Sequence, residues 1–494
     1  MGALTEKLRE IVKNCGLTQY EIAKGSGMDR SMLNRVLNDK MRPTEKLLET
    51  FCRYLDLDEL TRDEIYDLYE QNGDDGQTLY YQRREIMSLL SHLGTMDKLS
   101  NEPLFGNEVE LSEVRAEDGK AIRILKDPRA VVNAMQDIVM HEYSRCGSCE
   151  IMMCTPIGRI TANEVFNQMS LYLMDLSLRY DNMRITHLVG MDRRNVGSPL
   201  VNISVLSGML HFALGAKEKY KAYYYKSVMS NQVNIQVITP YYIIVGKYVI
   251  LLSSDCYGAI VLNDADVLKY YTSAMNTLKS SCIPFTTEYI SAMQVLAHYD
   301  NIDKRSHHST VSLMPHPPLC MLMSGDELVA YRRRETPGIE TLAVVFRERF
   351  NQIHSSDSTS LISFCTLDGM RNFAETGYTS EIPKVYVNAL PKSMRKCVIE
   401  RMCDKIREGA ELYMINSAKL QLPNNCSIKL LRGRVLDILV YDDTMTDVVS
   451  SSIADDSILE AFEDFCDYLP TSRIVYSREK TIELLTELAD SLSD

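Results

Sequence analysis

Apolar residues at Leu4, Leu8, Ile11 and Val12 recur at helical spacing, and Gly16 closes the helix they predict. Thr18 followed three residues later by Glu21 is a capping box, opening a short second helix over 19–24 with Ile22 and Ala23 inward. Gly25-Ser26-Gly27 is a tight turn, and Asp29 caps a third helix to about Leu37 with Met32, Leu33 and Val36 inward. Pro43-Thr44 opens a fourth, with Leu47, Leu48, Phe51, Leu55 and Leu57 inward. Two short helices around a glycine-containing turn predict a helix-turn-helix.

The residues Leu17-Thr18-Gln19-Tyr20-Glu21-Ile22-Ala23, then Gly27, then Ser31-Met32-Leu33-Asn34-Arg35-Val36-Leu37-Asn38-Asp39-Lys40 and Arg42-Pro43 carry a resemblance. Over about the first seventy residues the chain resembles the DNA-binding domain of the Cro/phage-repressor (XRE) family. It departs at Lys24-Gly25-Ser26, where the family keeps a better helix former and where the end of the second helix is therefore expected to loosen. The resemblance implies that the third helix lies in the major groove. It places Asp29, Arg30, Ser31 and Arg35 on base-reading positions, and Gln19, Asn38, Lys40 and Arg42 where phosphate is gripped. Arginine suits guanine O6 and N7. Residues 1–46 hold nine Lys and Arg against six Asp and Glu, whereas 47–70 hold two against eight, so the basic excess travels with the reading helix. The alternative use of such a bundle is protein binding alone.

Asn72-Gly73-Asp74-Asp75-Gly76 is a polar break. A helix over 79–99 follows, with Ile86, Leu89, Leu90 and Leu93 on one face; it serves either as a dimer helix or as a helix packed on the downstream domain. Strands and helices then alternate. A hairpin turn is expected at Asp118-Gly119 between strands 109–114 and 121–125, and a helix from Asp127-Pro128 to about Tyr143. Further strands are expected at 150–154, 184–189, 233–237, 242–245 and 248–253, with helices at 162–179 and 264–278. The order returns with helices at 341–354, 392–407 and 457–468 and strands at 360–365, 412–415, 427–430 and 435–440. Laying Cys149–Gly158 over Ser360–Gly369 puts Cys154 on Cys365 and shares the string Cys-Thr-x-x-Gly. Asn234-Ile235 then faces Ser427-Ile428, and Leu268-Lys269-Tyr270-Tyr271 faces Leu459-Glu460-Ala461-Phe462.

These observations predict a multidomain chain: an all-α helix-turn-helix head (1–71), a linker and connecting helix (72–104), an α/β domain (105–300) and a second α/β domain (301–494). The two α/β domains form a duplicated, mixed-sheet region. Whether the repeats pair within one chain or across a dimer stays open. The element order over roughly 105–290 resembles the phospholipase-D-like fold in a non-catalytic form. The family's His and Lys two residues apart are missing after His141, His187, His211 and His298, and Ser309-Thr310 follow His307-His308.

Composition narrows the function. With 54 Lys and Arg against 67 Asp and Glu, the net charge of −13 excludes a bulk polycation that coats nucleic acid or membrane. The 13 scattered Cys read as free thiols of a reducing cytosol. The longest apolar stretch, 241–252, is too short to span a bilayer. Cys146-Gly147-Ser148-Cys149 has metal or redox spacing but lacks a second pair, so it reads as a turn before a strand. His307-His308 and His316 lie in a Pro-rich connector, and Arg332-Arg333-Arg334 reads as a solvated strand end. The two Cys-Thr-x-x-Gly turns, Cys154, Thr155 and Gly158 and then Cys365, Thr366 and Gly369, sit where open α/β sheets bind ligands; the competing role is a structural turn with Thr as the helix cap. No catalytic residue, metal or cofactor is expected. The sequence points to a cytoplasmic, dimeric, non-enzymatic transcriptional regulator whose partners are a double-stranded DNA operator and a small-molecule or protein effector. The alternatives are an enzyme or defence effector of phosphodiesterase or nuclease type localised by its helix-turn-helix, and an interaction scaffold.

Overall fold

The computed structural model describes residues 2–71, 76–93, 122–155, 172–173, 175–177, 179–192, 199–227, 241–253, 256–285, 290–291, 310–333, 344, 347, 361–382, 384–441 and 447–492. Two compact units result, 1–84 and 85–494. The expectations for 109–114, the Asp118-Gly119 turn, Gly158, 233–237 and His307-His308, and most of helices 162–179 and 341–354, lie outside the described residues.

The first unit is built from α1 (Ala3–Asn14), α2 (Gln19–Ser26), α3 (Arg30–Leu37), α4 (Glu45–Tyr54) and α5 (Glu59–Gln71). Its core is Leu4, Leu8, Ile22, Ala23, Leu33, Val36, Leu47, Leu48 and Phe51, which the spacing selects, joined by Leu37, Ile65 and Tyr66, which it does not. Met32 departs from the expectation: it is 39% exposed, because α3 turns only three of its positions to the core. Asp56, at φ 47°, ends the expected fourth helix short of Leu57, and α5 is a further helix that the apolar spacing did not predict. Asp58 then accepts from the Thr61 N–H at 2.9 Å, opening α5.

Helix α6 (Gly76–His92) leads into the second unit. Ile86, Leu89, Leu90 and Leu93 are at most 1% exposed within that unit's core, so of its two expected uses the face packs on the downstream domain.

Two mixed sheets make up the second unit. The first contains β1 (Ile122–Leu125), β2 (Cys149–Thr155), β3 (Met183–Asp192), β4 (Tyr220–Ser227), β5 (Tyr241–Val245), β6 (Tyr248–Leu252), β7 (Ala259–Leu262) and β8 (Ile283–Pro284), in the order β1-β7-β6-β5-β2-β3-β4-β8. The second contains β9 (Ile290–Ser291), β10 (Thr310–Leu313), β11 (Leu361–Thr366), β12 (Leu412–Ile415), β13 (Cys426–Leu431), β14 (Val435–Tyr441) and β15 (Asp447–Ile453), in the order β12-β11-β10-β13-β14-β15-β9. Each sheet has a central strand with two parallel strands on one side and an antiparallel meander on the other. The duplication is therefore present, but its register is not the one expected. By topology β2 corresponds to β10, and β3 to β11. Cys154 and Cys365 lie on non-equivalent strands, and the shared Cys-Thr-x-x-Gly string is a coincidence of short patterns. The downstream match holds: α9 (Ala265–Ser280) and α14 (Asp456–Tyr468) both follow the last meander strand. Asp264 and Asp455 cap them alike, each accepting two backbone N–H groups. (Helices α7, Pro128–Cys146, and α8, Pro199–Ala216, belong to the first repeat.)

The repeats pair within one chain. One continuous core takes in Val139, Ile151, Leu206 and Tyr224 of the first repeat together with Phe364, Ile428, Phe462 and Phe465 of the second. Asn202 on α8 donates to Ser457 on α14 at 2.7 Å, and Lys226 on β4 lies 3.3 Å from the buried Asp455. The far face of the second sheet packs α12 (Leu367–Thr376), α13 (Lys392–Arg407) and α15 (Arg478–Asp490), while α10 (Leu319–Leu322) and α11 (Gly325–Ala330) follow its central strand.

Two buried imidazoles make this unit acid-sensitive. His187 shares hydrogen bonds with Thr155 Oγ1 (2.6 Å) and Tyr220 Oη (2.8 Å), and burial drives it down to about 3. His316 accepts from the Ser380 N–H (3.0 Å) and meets Asn372 Oδ1 at 3.1 Å; burial takes it to about 4. An unfolded chain protonates both from about 6.5 downward while the folded one does not, so the stability they contribute is complete above 6.5 and is lost as pH falls toward 4. Glu327, held down to about 2 by the Arg401 guanidinium at 2.6 Å, adds a loss between 4.5 and 2. Denaturant midpoints are expected to fall from pH 7 to pH 5, with a shallower slope in His316→Gln.

Candidate nucleic-acid interface

The turn between α2 and α3 is set by local chemistry. Thr18 accepts from the Glu21 N–H at 3.3 Å, and Glu21 Oε2 accepts from the Thr18 N–H at 2.8 Å, which is the expected capping box. Those bonds hold the Glu21 carboxyl below its ordinary value. Thr18→Ala is expected to cost about 1 kcal/mol locally, read as faster hydrogen exchange at the amides of 19–26. Gly27, at φ 72°, takes the left-handed conformation that ends α2. Gly25 explains the departure from the family pattern: a Cβ there would lie 2.0 Å from Tyr54 Oη. Its lack of a side chain admits α4, and α2 continues to Ser26 instead of loosening.

Helix α3 buries Leu33, Val36 and Leu37 and turns Arg30, Ser31, Asn34 and Arg35 outward. Asp29 accepts from the Met32 N–H at 2.9 Å, so its carboxylate is committed to the cap. Gln19 and Asn38 do not stand apart from the reading helix. Asn34 Nδ2 donates to Gln19 Oε1 (3.3 Å), and Asn38 Nδ2 donates to Asn34 Oδ1 (3.0 Å) and to its carbonyl (2.8 Å), an amide chain linking the start of α2 to the middle and the C-terminal end of α3. Lys40 is exposed just past the helix. Arg42 is exposed and has a contact within the first unit. Its guanidinium lies 4.7 Å from the Tyr69 ring centre and donates to the Tyr69 carbonyl at 3.2 Å, so it also braces α5.

Two residues of this face were missed. Tyr20 is 53% exposed, with the Arg30 guanidinium 5.5 Å and the Lys24 ammonium 6.0 Å from its ring centre. Asn34 joins the amide chain between Gln19 and Asn38. The signal for Tyr20 was an aromatic at an outward position of α2; cation–π contact aligns Arg30 beside it. Asp39, at φ 57°, accepts from Thr5 Oγ1 (2.9 Å) and the Gly2 N–H (3.1 Å), pinning α1 behind this face.

Of the two expected ligand turns, the one at Cys365–Gly369 is described through its glycine, and the protein itself takes its backbone donors. Thr366 Oγ1 accepts from the Gly369 N–H at 3.0 Å, and the Asp368 N–H is taken by Ser417 Oγ at 3.0 Å, so the start of α12 has these donors occupied. Cys365 is 1% exposed and its sulfur faces the Tyr413 carbonyl. Cys154 is 5% exposed and bonds the hydroxyls of Tyr225 and Tyr242, while Thr155 is held by His187. The five described residues of the two strings serve packing and capping. Cys149 is buried with its thiol pushed up to about 12, and Cys146 is free. That pair is a turn before β2, and Gly147 closes the preceding helix at φ 66°.

Among the described residues no helix is long and apolar enough to cross a membrane, and no group of three His, Cys, Asp or Glu is placed to hold a metal ion. No curated protein matches the chain in sequence. Solved structures that overlap parts of it include the following two. TrmBL2, described as an archaeal chromatin protein with a novel mode of DNA binding, is 12% identical, with 57% of this chain and 94% of that one covered at a TM-score of 0.24. The phosphatidylserine synthase of Haemophilus influenzae Rd KW20 is 8% identical, with 83% and 98% covered at a TM-score of 0.25. Residues 8–60 match the helix-turn-helix family, and the first unit of this chain carries a helix-turn-helix domain.

Proposed function

We propose that the chain is a non-enzymatic, DNA-binding transcriptional regulator acting in the cytoplasm. The carrying observation is the outward face of α3, where Arg30, Ser31, Asn34 and Arg35 stand clear of the core that Leu33, Val36 and Leu37 enter. Laid in a major groove, this face brings two guanidinium groups and two short polar side chains to base edges. Tyr20, Lys24 and Lys40 flank it and meet the sugar–phosphate walls. The chain reads its operator as a homodimer, one α3 to each half-site. The α/β unit acts as the sensor for a small-molecule or protein effector.

The test is binding of the full chain to the duplex upstream of its own gene, at near-physiological salt, against an unrelated duplex of equal length. Selective binding supports the reading. The negative net charge makes binding to the unrelated duplex weak and steeply salt-dependent. Equal affinity for both duplexes across a salt series would overturn the operator assignment.

A further inference from the structure

One register row distinguishes the two sheets. In the second sheet Ser363 on β11, Ser312 on β10, Lys429 on β13, Asp437 on β14 and Ser452 on β15 are successive register partners. Directly opposite residues on neighbouring strands share a face. An ammonium, a carboxylate and three hydroxyls therefore lie in line across five strands. Ser312, Ser363 and Lys429 are each 2% exposed and Asp437 is 1% exposed.

The first sheet shows what this row is like when it serves packing. There the successive partners are His187, Met153, Ile243, Ile250 and Val261. Both rows cross the meander two residues before the pair that flanks its first turn, Val245 with Tyr248 and Leu431 with Val435. Four of the five positions are apolar in the first repeat, and the fifth, His187, is satisfied by Thr155 and Tyr220. The fold is thus built without a charged row. Burying a Lys and an Asp in place of two isoleucines seldom improves stability. The hydroxyls of Ser312 and Ser363 are buried without a hydrogen-bond partner, which costs stability.

The two ends of the row also differ. Ser452 Oγ donates to Asp437 Oδ1, so the carboxylate end has its own donor. The other end, Lys429, Ser312 and Ser363, is rich in donors. We propose that this end binds the oxyanion of a small molecule, a carboxylate or a phosphate group. The Ser312 and Ser363 hydroxyls and the Lys429 ammonium donate to it, and Asp437 balances the ammonium from the neighbouring strand. The site stands apart from the DNA-binding reading, and its test needs no DNA.

The experiment is thermal unfolding and calorimetric titration of the full chain with sodium phosphate and with sodium succinate. Sodium chloride at matched ionic strength and glycerol are the controls. One oxyanion is expected to raise Tm and to bind in the millimolar range or tighter, and which salt does so separates phosphate from carboxylate. Ser312→Ala with Ser363→Ala is expected to weaken binding about tenfold or more while leaving the unliganded Tm equal or higher. Lys429→Ile with Asp437→Ile, which copies the first sheet, is expected to abolish the response; should that pair fail to fold, the serine pair decides. No response to either salt beyond sodium chloride at about 20 mM would overturn the proposal, since a ligand at tenfold its Kd stabilises by a measurable ~1.4 kcal/mol. A response unchanged in the serine pair, or one to glycerol alone, would overturn it equally.

Discussion

Arg35→Ala is expected to lower operator affinity by about one to two orders of magnitude, the range that follows from losing ~1–3 kcal/mol of base readout. Arg35 is exposed on α3, while the hydrophobic positions on both sides of it, Leu33 and Val36, go to the core. Removing its side chain therefore leaves folding intact, and circular dichroism and Tm should not change. Arg30→Ala is expected to act similarly and to release Tyr20, whose ring lies 5.5 Å from that guanidinium. The loss should be specific: affinity for an unrelated duplex changes little. Lys40→Ala makes the opposite pattern, a uniform loss across duplexes with a salt slope reduced by about one. Arg42→Ala separates the family expectation from the structure. Its guanidinium is engaged by Tyr69, so its main effect should fall on the packing of α5. Operator affinity unchanged in both Arg30→Ala and Arg35→Ala would show that α3 does not present the reading face.

Gly369→Ala is expected to destabilise the α/β unit by at least the ~1–3 kcal/mol typical of overpacking, seen as a lower urea midpoint. A Cβ at this position would lie 2.0 Å from the Pro315 carbonyl oxygen and 2.3 Å from its carbon. Both are backbone atoms, and that oxygen also accepts from the Thr366 N–H at 3.1 Å, so the clash cannot be relieved by turning a side chain. The β11–α12 turn and the segment after β10 must separate, and Gly369's own N–H bond to Thr366 is strained with them. Gly409→Ala is the comparison within the unit: nothing lies within 4 Å of its Cβ position, and only its φ of 98° penalises a side chain. A midpoint for Gly369→Ala no lower than for Gly409→Ala would mean that the turn yields easily, and its two serine and threonine caps would then be available to a ligand after all.

The ends of helices were legible because their chemistry is local. Thr18 with Glu21, Asp29, Asp127, Asp264 and Asp455 accept backbone N–H groups two or three residues away, so a few neighbouring letters suffice. Strands at 412–415 and 435–440 were legible because they are buried on both faces and read as unbroken apolar runs. The repeat was legible as an order of elements but not in register. A five-letter string such as Cys-Thr-x-x-Gly recurs at a strand end for reasons of capping and turn geometry, and only hydrogen-bonded partners show which strand is central.

The sequence by itself determined the helix-turn-helix head, its inward faces apart from Met32, and the outward Arg30, Ser31 and Arg35 of α3, since each follows from spacing and from bonds within one turn of helix. It also determined that two α/β repeats follow. The tertiary structure alone decided that these repeats share one core, that Arg42 contacts Tyr69 of α5 and Gly25 admits Tyr54, and that the donors of the Thr366–Gly369 turn are taken within the protein. It alone decided that Ser312, Ser363, Lys429 and Asp437 stand in one row. Those four residues are spread over more than a hundred positions, and nothing in their spacing relates them. Strand pairing brings them to one face, and the low polarity of that interior gives a lysine and two unpaired hydroxyls their chemical meaning.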